Sequence, residues 1–226
     1  MGTTPGEGAP RFPGFDATVQ AHTWDEQTRA VVARRLDPLP TDKFFTADER
    51  RTAQALVDRL LAQDREPRVP VLALIEDRLA TGAGDGYRYI DMPEDHEGWR
   101  CSLAALEQEA MSRHGRPFAE LEGDVQLAQL DEIQHHEGRW RGLPAQRTFS
   151  LWLRYACTAF YSHPWAWTEI GFGGPAYPRG YKNLGFDRRE SWEVAERPGL
   201  DPGPWAERSE RTRQHHDAAV RRGRRP

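Results

Sequence analysis

Residues 46–61 read TADERRTAQALVDRLL. Thr46, followed three residues later by Glu49, is a capping-box start: the threonine accepts from a first-turn amide and the glutamate reaches back to the cap. After it, Ala53, Leu56, Val57, Leu60 and Leu61 recur three, four and five apart, so they share one helical face. Gln54, Asp58 and Arg59 lie between them. The stretch predicts an amphipathic helix with one face to bury, and the rest of the chain can be read against that helical period.

Toward the C-terminus, Pro67 and Pro70 interrupt the chain and precede a helix carried by Leu72, Ile75 and Leu79. The run GAGDG at 82–86 stops it. Trp99, Leu103, Leu106 and Ala110 then give a four-three-four stripe, ended near Gly115 and Pro117. Phe118 and Leu121 lead into a pattern through Val125, Leu127, Leu130 and Ile133. Pro144 suits a first helical turn, and Phe149, Trp152, Leu153, Ala156 and Phe160 follow on one broad face. Toward the N-terminus, Thr23-Trp24-Asp25-Glu26 reads as a second capping box with Thr23 as cap. It opens a helix with Trp24, Val31, Val32 and Leu36 on its face, ended by Pro38 and Pro40. No segment alternates apolar and polar residues as a strand would, so no sheet is expected. The expected fold is all-α: a single domain of five or six helices over 22–185, with an irregular arm at 1–21. An aromatic, Gly/Pro-rich segment closes the domain, and a polar, basic tail follows at 186–226.

The chain has 226 residues, 38% of them apolar, which is enough for one sizeable core. Charged residues make up 29% but nearly cancel, to a net charge of -4, so bulk electrostatics make no case for nucleic acid as a partner. The basic tail reads as solvated chain. Cys101 and Cys157 form no Cys-x-x-Cys motif and read as two buried free thiols. No stretch approaches the ~20 apolar residues of a membrane span. The first twenty residues lack an apolar core of the signal-peptide kind, and neither Arg34-Arg35 nor Arg50-Arg51 precedes an apolar run. These features place the expected location in the cytoplasm, or outside it if a signal-bearing partner carries the chain across.

The residue patterns of catalysis are not met. Neighbours His135-His136, like His215-His216, diverge by about 100° on a helix and do not share one ion. No helical His pair stands four apart, and no G-x-S-x-G elbow surrounds a serine. The glycines at 82, 84 and 86 lack the spacing and the preceding strand of a dinucleotide fingerprint. No catalytic or metal-ligating residue is therefore assigned.

What stands out is YSHPWAWTEIGFGGPAYPRGY at 161–181. It holds six aromatics, four glycines and three prolines, a composition foreign to ordinary helices and strands. Its rings argue against disorder, yet ordering such a segment costs more than burial of its rings alone returns. It must pack on something sizeable. Three readings stay open: a cover over the chain's own helices, an anchor for a protein partner, or a stacking platform for sugars built on Trp165, Trp167 and Tyr177. The candidate binding residues are Tyr161, Pro164, Trp165, Trp167, Phe172, Gly173, Gly174, Tyr177, Pro178 and Tyr181.

Over roughly residues 42–185 the order of motifs resembles the gluconate 2-dehydrogenase subunit 3 family. The resemblance rests on FFTADER at 44–50, Trp99 with LAALEQEAMSRHGRPFAEL at 103–121, QLAQLDEI at 126–133, Thr148-Phe149, and above all FYSHPWAWTEIGFGGPAYPRGY at 160–181. It implies a non-catalytic accessory subunit with no cofactor of its own. The FAD would reside in a large subunit of the glucose-methanol-choline type acting on sugars or alcohols, and a cytochrome subunit often takes the electrons. Binding, stabilising, maturing or exporting that large subunit is the role so implied. Two features depart from the family pattern: the twin-arginine signal of many members is not seen, and neither the N-terminal extension through the Trp24 helix nor the basic tail has an assigned role.

Overall fold

The computed structural model describes residues 12, 14–37, 43–63, 68–82, 84, 86–182 and 188–195. Among them run seven α-helices: α1 (Glu26–Arg34), α2 (Ala47–Leu60), α3 (Val71–Ala80), α4 (Asp95–His114), α5 (Gly123–His135), α6 (Ala145–Ser162) and α7 (Pro164–Ile170). Short 3₁₀ turns occupy Ala17–Thr23 and Phe118–Glu120, and β1 (Arg139–Trp140) pairs antiparallel with β2 (Leu143–Pro144). The all-α single domain holds, with one more helix than the apolar stripes show.

α6 is the axis of the core and touches α2, α3, α4, α5 and α7. Trp99, Trp152, Tyr155, Phe118, Leu56, Leu103 and Leu106 are all sealed from solvent around it. Burial favours pairing of the polar groups trapped there, and Trp152 Nε1–H donates to Ser102 Oγ at 2.8 Å, whereas the Trp99 and Trp140 indole N–H groups are buried with no hydrogen-bond partner among the described residues. Glu76 of α3 is fully buried and accepts from the Phe45 amide at 3.1 Å and from Arg50 of α2, also at 3.1 Å. Burial works to raise the Glu76 pKa, but hydrogen bonds from Arg50 and the Phe45 amide overcome it and hold the carboxyl below its usual range.

The capping box at Thr46 forms as its spacing predicts, with Thr46 N–H on Glu49 Oε2 at 2.9 Å and Glu49 N–H on Thr46 Oγ1 at 3.3 Å. The one expected at Thr23 does not. α1 is capped by Asp25, whose carboxylate accepts from Thr28 N–H at 2.7 Å, while Thr23 ends the 3₁₀ turn and donates to Gln20 O. A carboxylate favours the positive end of a helix over a hydroxyl. That turn also replaces irregular chain at 17–21.

Other corrections are smaller. Val31, Leu36, Leu127 and Leu153 are exposed although the stripes place them inward. Pro144 is the cap of α6 and part of β2, not a first-turn residue. Both cysteines are free, but Cys101 is exposed and Cys157 half-buried. Of the tail expected at 186–226, residues 188–195 are described and bring Trp192 against Arg179, and the rest lies outside the described residues.

Candidate functional site

The 161–181 segment begins as helix. Tyr161 and Ser162 complete α6, His163 breaks it, and Pro164 starts α7, which runs to Ile170 and ends at Gly171 in the left-handed region, φ +72°. The local signals were in the sequence: a proline at the first helical position and a glycine just past the last. His163 serves as cap, its Nδ1 accepting from the Trp165 amide at 3.2 Å.

α7 points its two tryptophans opposite ways. Trp167 is 4% exposed and packs edge-on against Trp24, ring centroids 6.4 Å apart, while its Nε1–H donates to the Tyr161 carbonyl at 2.6 Å. With Ala17, Trp24 and Val32 it forms a second small apolar cluster beside the main core. Trp165 is 47% exposed. The N-terminal extension thus has a structural task. Its 3₁₀ turn packs on α7, and the Ala17 amide donates to Thr168 Oγ1 at 3.2 Å.

Beyond α7 the chain hugs this scaffold. Gly174 has φ +74°, and a Cβ there would lie 2.6 Å from the Trp24 ring. Both the backbone and the space therefore demand glycine. At Gly173 a Cβ would come within 2.6 Å of Trp192. Arg179 ties the segment down: its guanidinium donates to Thr23 Oγ1 at 2.9 Å and to Gly173 O at 3.1 Å, and lies 3.7 Å from the Trp192 ring centroid. The peptide between Tyr177 and Pro178 is cis.

The ten candidate binding residues accordingly divide. Pro164, Trp167, Gly173 and Gly174 are buried and build the base. Tyr161, Trp165, Phe172, Tyr177, Pro178 and Tyr181 are exposed, Tyr177 at 67%. Trp167 is not available as a stacking surface, so the three rings of the sugar-platform reading do not share an open face. Arg179 within the segment, and Trp24 and Trp192 from elsewhere in the chain, hold it in place through contacts that spacing did not reveal.

A second region sits where α3, α4 and α6 meet. A cleft of about 490 Å³ is lined by Arg78, Tyr87, Arg88, Asp95, His96 and Tyr155, among others. Asp95 is engaged on its floor by Tyr155 Oη–H at 2.7 Å and by Arg154 at 3.3 Å. Burial, then the Asp95 carboxylate, push the Tyr155 phenol up to about 12, so it stays a neutral donor at physiological pH. The arrangement clamps α4 to α6. On the rim, Tyr87, Tyr89 and Ile90 project outward, Ile90 at 96% exposed. No group of three or more His, Cys, Asp and Glu suited to a metal comes together among the described residues, and none of their helices is long and apolar enough to cross a membrane.

The profile of the family described as Gluconate 2-dehydrogenase subunit 3 matches residues 47–174. The chain belongs to the gluconate 2-dehydrogenase subunit 3 family. The match takes in α2 to α7 and ends at Gly174, the residue seated against Trp24. No curated protein and no solved structure matches the chain.

Proposed function

We propose that this chain is a non-catalytic accessory subunit of a gluconate 2-dehydrogenase-like complex. It would dock its exposed rings onto an FAD-bearing large subunit of the glucose-methanol-choline type that oxidises sugars or alcohols. Family membership supports the subunit role. The observation that carries the docking surface is the division of 161–181 into a buried base and exposed rings.

Five exposed rings (Tyr161, Trp165, Phe172, Tyr177 and Tyr181), at about 200 Å² each and roughly half open, offer on the order of 500 Å² of aromatic surface. A stable interface buries about 800 Å² per partner. The rings would thus form its centre, with polar neighbours completing the rim. Tyr and Trp suit this position because a large contact area is fixed by only two side-chain torsions.

Co-expression with a flavoprotein large subunit of this type, followed by affinity capture, tests the assignment. Trp165→Ala and Tyr177→Ala are each expected to weaken association by 2 kcal/mol or more, about 30-fold, as central anchors do. Leu56→Ala, at equal folded fraction, leaves association unchanged. Equal capture by all three variants, or none by the wild type, overturns the proposal.

A further inference from the structure

His163 sits between α6 and α7, at the base of the ring-bearing helix, and is 2% exposed. Its Nδ1 accepts from the Trp165 amide, so the ring proton belongs on the other nitrogen. The imidazole also lies against the backbone of Arg35, and its centroid is 5.0 Å from the Trp165 ring centroid. One residue therefore links the end of α1, the end of α6 and the first turn of α7.

The charges around it disfavour a second proton. The Arg35 guanidinium, at the end of α1, donates to the Ser162 carbonyl at 2.8 Å. Arg78 of α3 lines the groove that reaches Ser162. From α6 the neighbouring titratable groups are Tyr161, with its ring outward, and half-buried Cys157; from α7 it is Glu169, which is exposed. Burial chiefly, and then the Arg35 charge, hold the imidazole below its usual 6.5, against the opposing influence of the nearby Arg35 backbone.

We propose that His163 is a proton-sensitive latch for the docking rings. Neutral, it fixes Trp165 through the amide hydrogen bond. A proton taken from solvent onto Nδ1 removes that acceptor and places a buried charge beside Arg35, which releases the start of α7. Above 6.5 the folded and unfolded chains both carry neutral imidazole, so nothing changes there. As pH falls below 6.5 the unfolded chain takes up the proton while the folded ring resists it. The order of α7 therefore declines from 6.5 down toward the lowered folded value. The consequence for partner binding rests on the docking assignment; the latch itself does not.

The test is a pH titration of the full chain by ¹⁵N–¹H NMR, from about pH 7.5 to about pH 4.5, the range over which histidine changes charge. The Trp165 amide and the Trp165 and Trp167 indole signals are expected to move together with a midpoint below 6.5. His163→Asn, whose side-chain oxygen can accept the same amide, abolishes that transition and keeps the neutral-pH spectrum. His163→Ala shows the acid spectrum already at neutral pH. A Trp165 amide that stays still in the wild type, or moves equally in His163→Asn, overturns the latch. Affinity for the flavoprotein should fall about fivefold to tenfold over the same window, the scale of a lost helix cap, in the wild type only. Ring signals that move while affinity holds would sink the docking assignment and leave the latch standing.

Discussion

Replacing Trp167 by alanine separates the base of the aromatic segment from its exposed face. The ring is 4% exposed, and burying about 200 Å² of it at ~25 cal/mol per Å² corresponds to about 5 kcal/mol. Its Nε1–H bond to Tyr161 adds about 1 kcal/mol. Partial collapse of the site brings the expected loss to about 3–5 kcal/mol, the usual range for removing a buried tryptophan. Where that loss appears depends on packing. Trp167 belongs to the small cluster of Ala17, Trp24 and Val32, whereas its neighbour Ala166 belongs to the main core. The cheapest response is therefore local undocking of residues 17–34, not global unfolding. Hydrogen exchange is the assay. Amides of the 3₁₀ turn and α1 should lose protection by about 100-fold to a few thousand-fold, at ten-fold per 1.4 kcal/mol. α2, α4 and α6 should keep theirs. Trp165→Ala, cutting back a half-exposed ring, should leave both regions unchanged. Continued protection of 17–34 in Trp167→Ala would refute the docked arm. A uniform loss across all helices would refute the separation into two clusters.

Two further perturbations probe the groups that clamp the helices. Glu76→Gln removes the charge facing Arg50 in a sealed site and should cost about 2–4 kcal/mol in urea unfolding, somewhat below the full penalty of breaking a buried pair because Gln keeps some hydrogen bonding. The Glu76 carboxyl lies below its usual 4.5, so its contribution is complete above 4.5 and lost as pH falls through the folded value; the variant should lack that acid-limb decline. Tyr155→Phe deletes the donor to Asp95 and should cost about 1–2 kcal/mol. With the phenol raised from 10.0 to about 12, the unfolded chain ionises first, so wild-type stability should fall between those values and the variant's should not.

The helices that bury their own stripe could be read locally. The helix of Thr46 and Glu49 needs only the helical period and a cap, and that of Trp99 through Ala110 only the period, since it has no side-chain cap; both formed where expected. α7 was hidden by the composition of 161–181, which reads as loop until His163-Pro164 is taken as cap and first turn. Thr23 and Asp25 competed for one cap, and a tetrapeptide pattern does not weigh charge against hydroxyl. The division of the aromatics was out of reach for a different reason. Trp167 is buried because Trp24 covers it from about 140 positions away. Gly174 is glycine because that same ring occupies its Cβ position. Neither fact leaves a trace in local spacing.

The same geometry explains how a small domain can leave so many rings in water. A flexible aromatic strand would lose backbone freedom again on meeting a partner, and that loss would be subtracted from affinity. Here the freedom is already spent within the fold. α7 fixes Trp165 by helical hydrogen bonds, Gly173 and Gly174 lie flush against Trp192 and Trp24, and Arg179 bridges the segment to Thr23. A partner would meet rings whose backbone is set. The segment carrying the sequence signal is thus only the face of the surface. The N-terminal turn and residues 188–195 supply its backing, and they do so from outside the 47–174 stretch that marks the family. In this chain the rigidity of the proposed docking face depends on contacts that lie outside the 47–174 match.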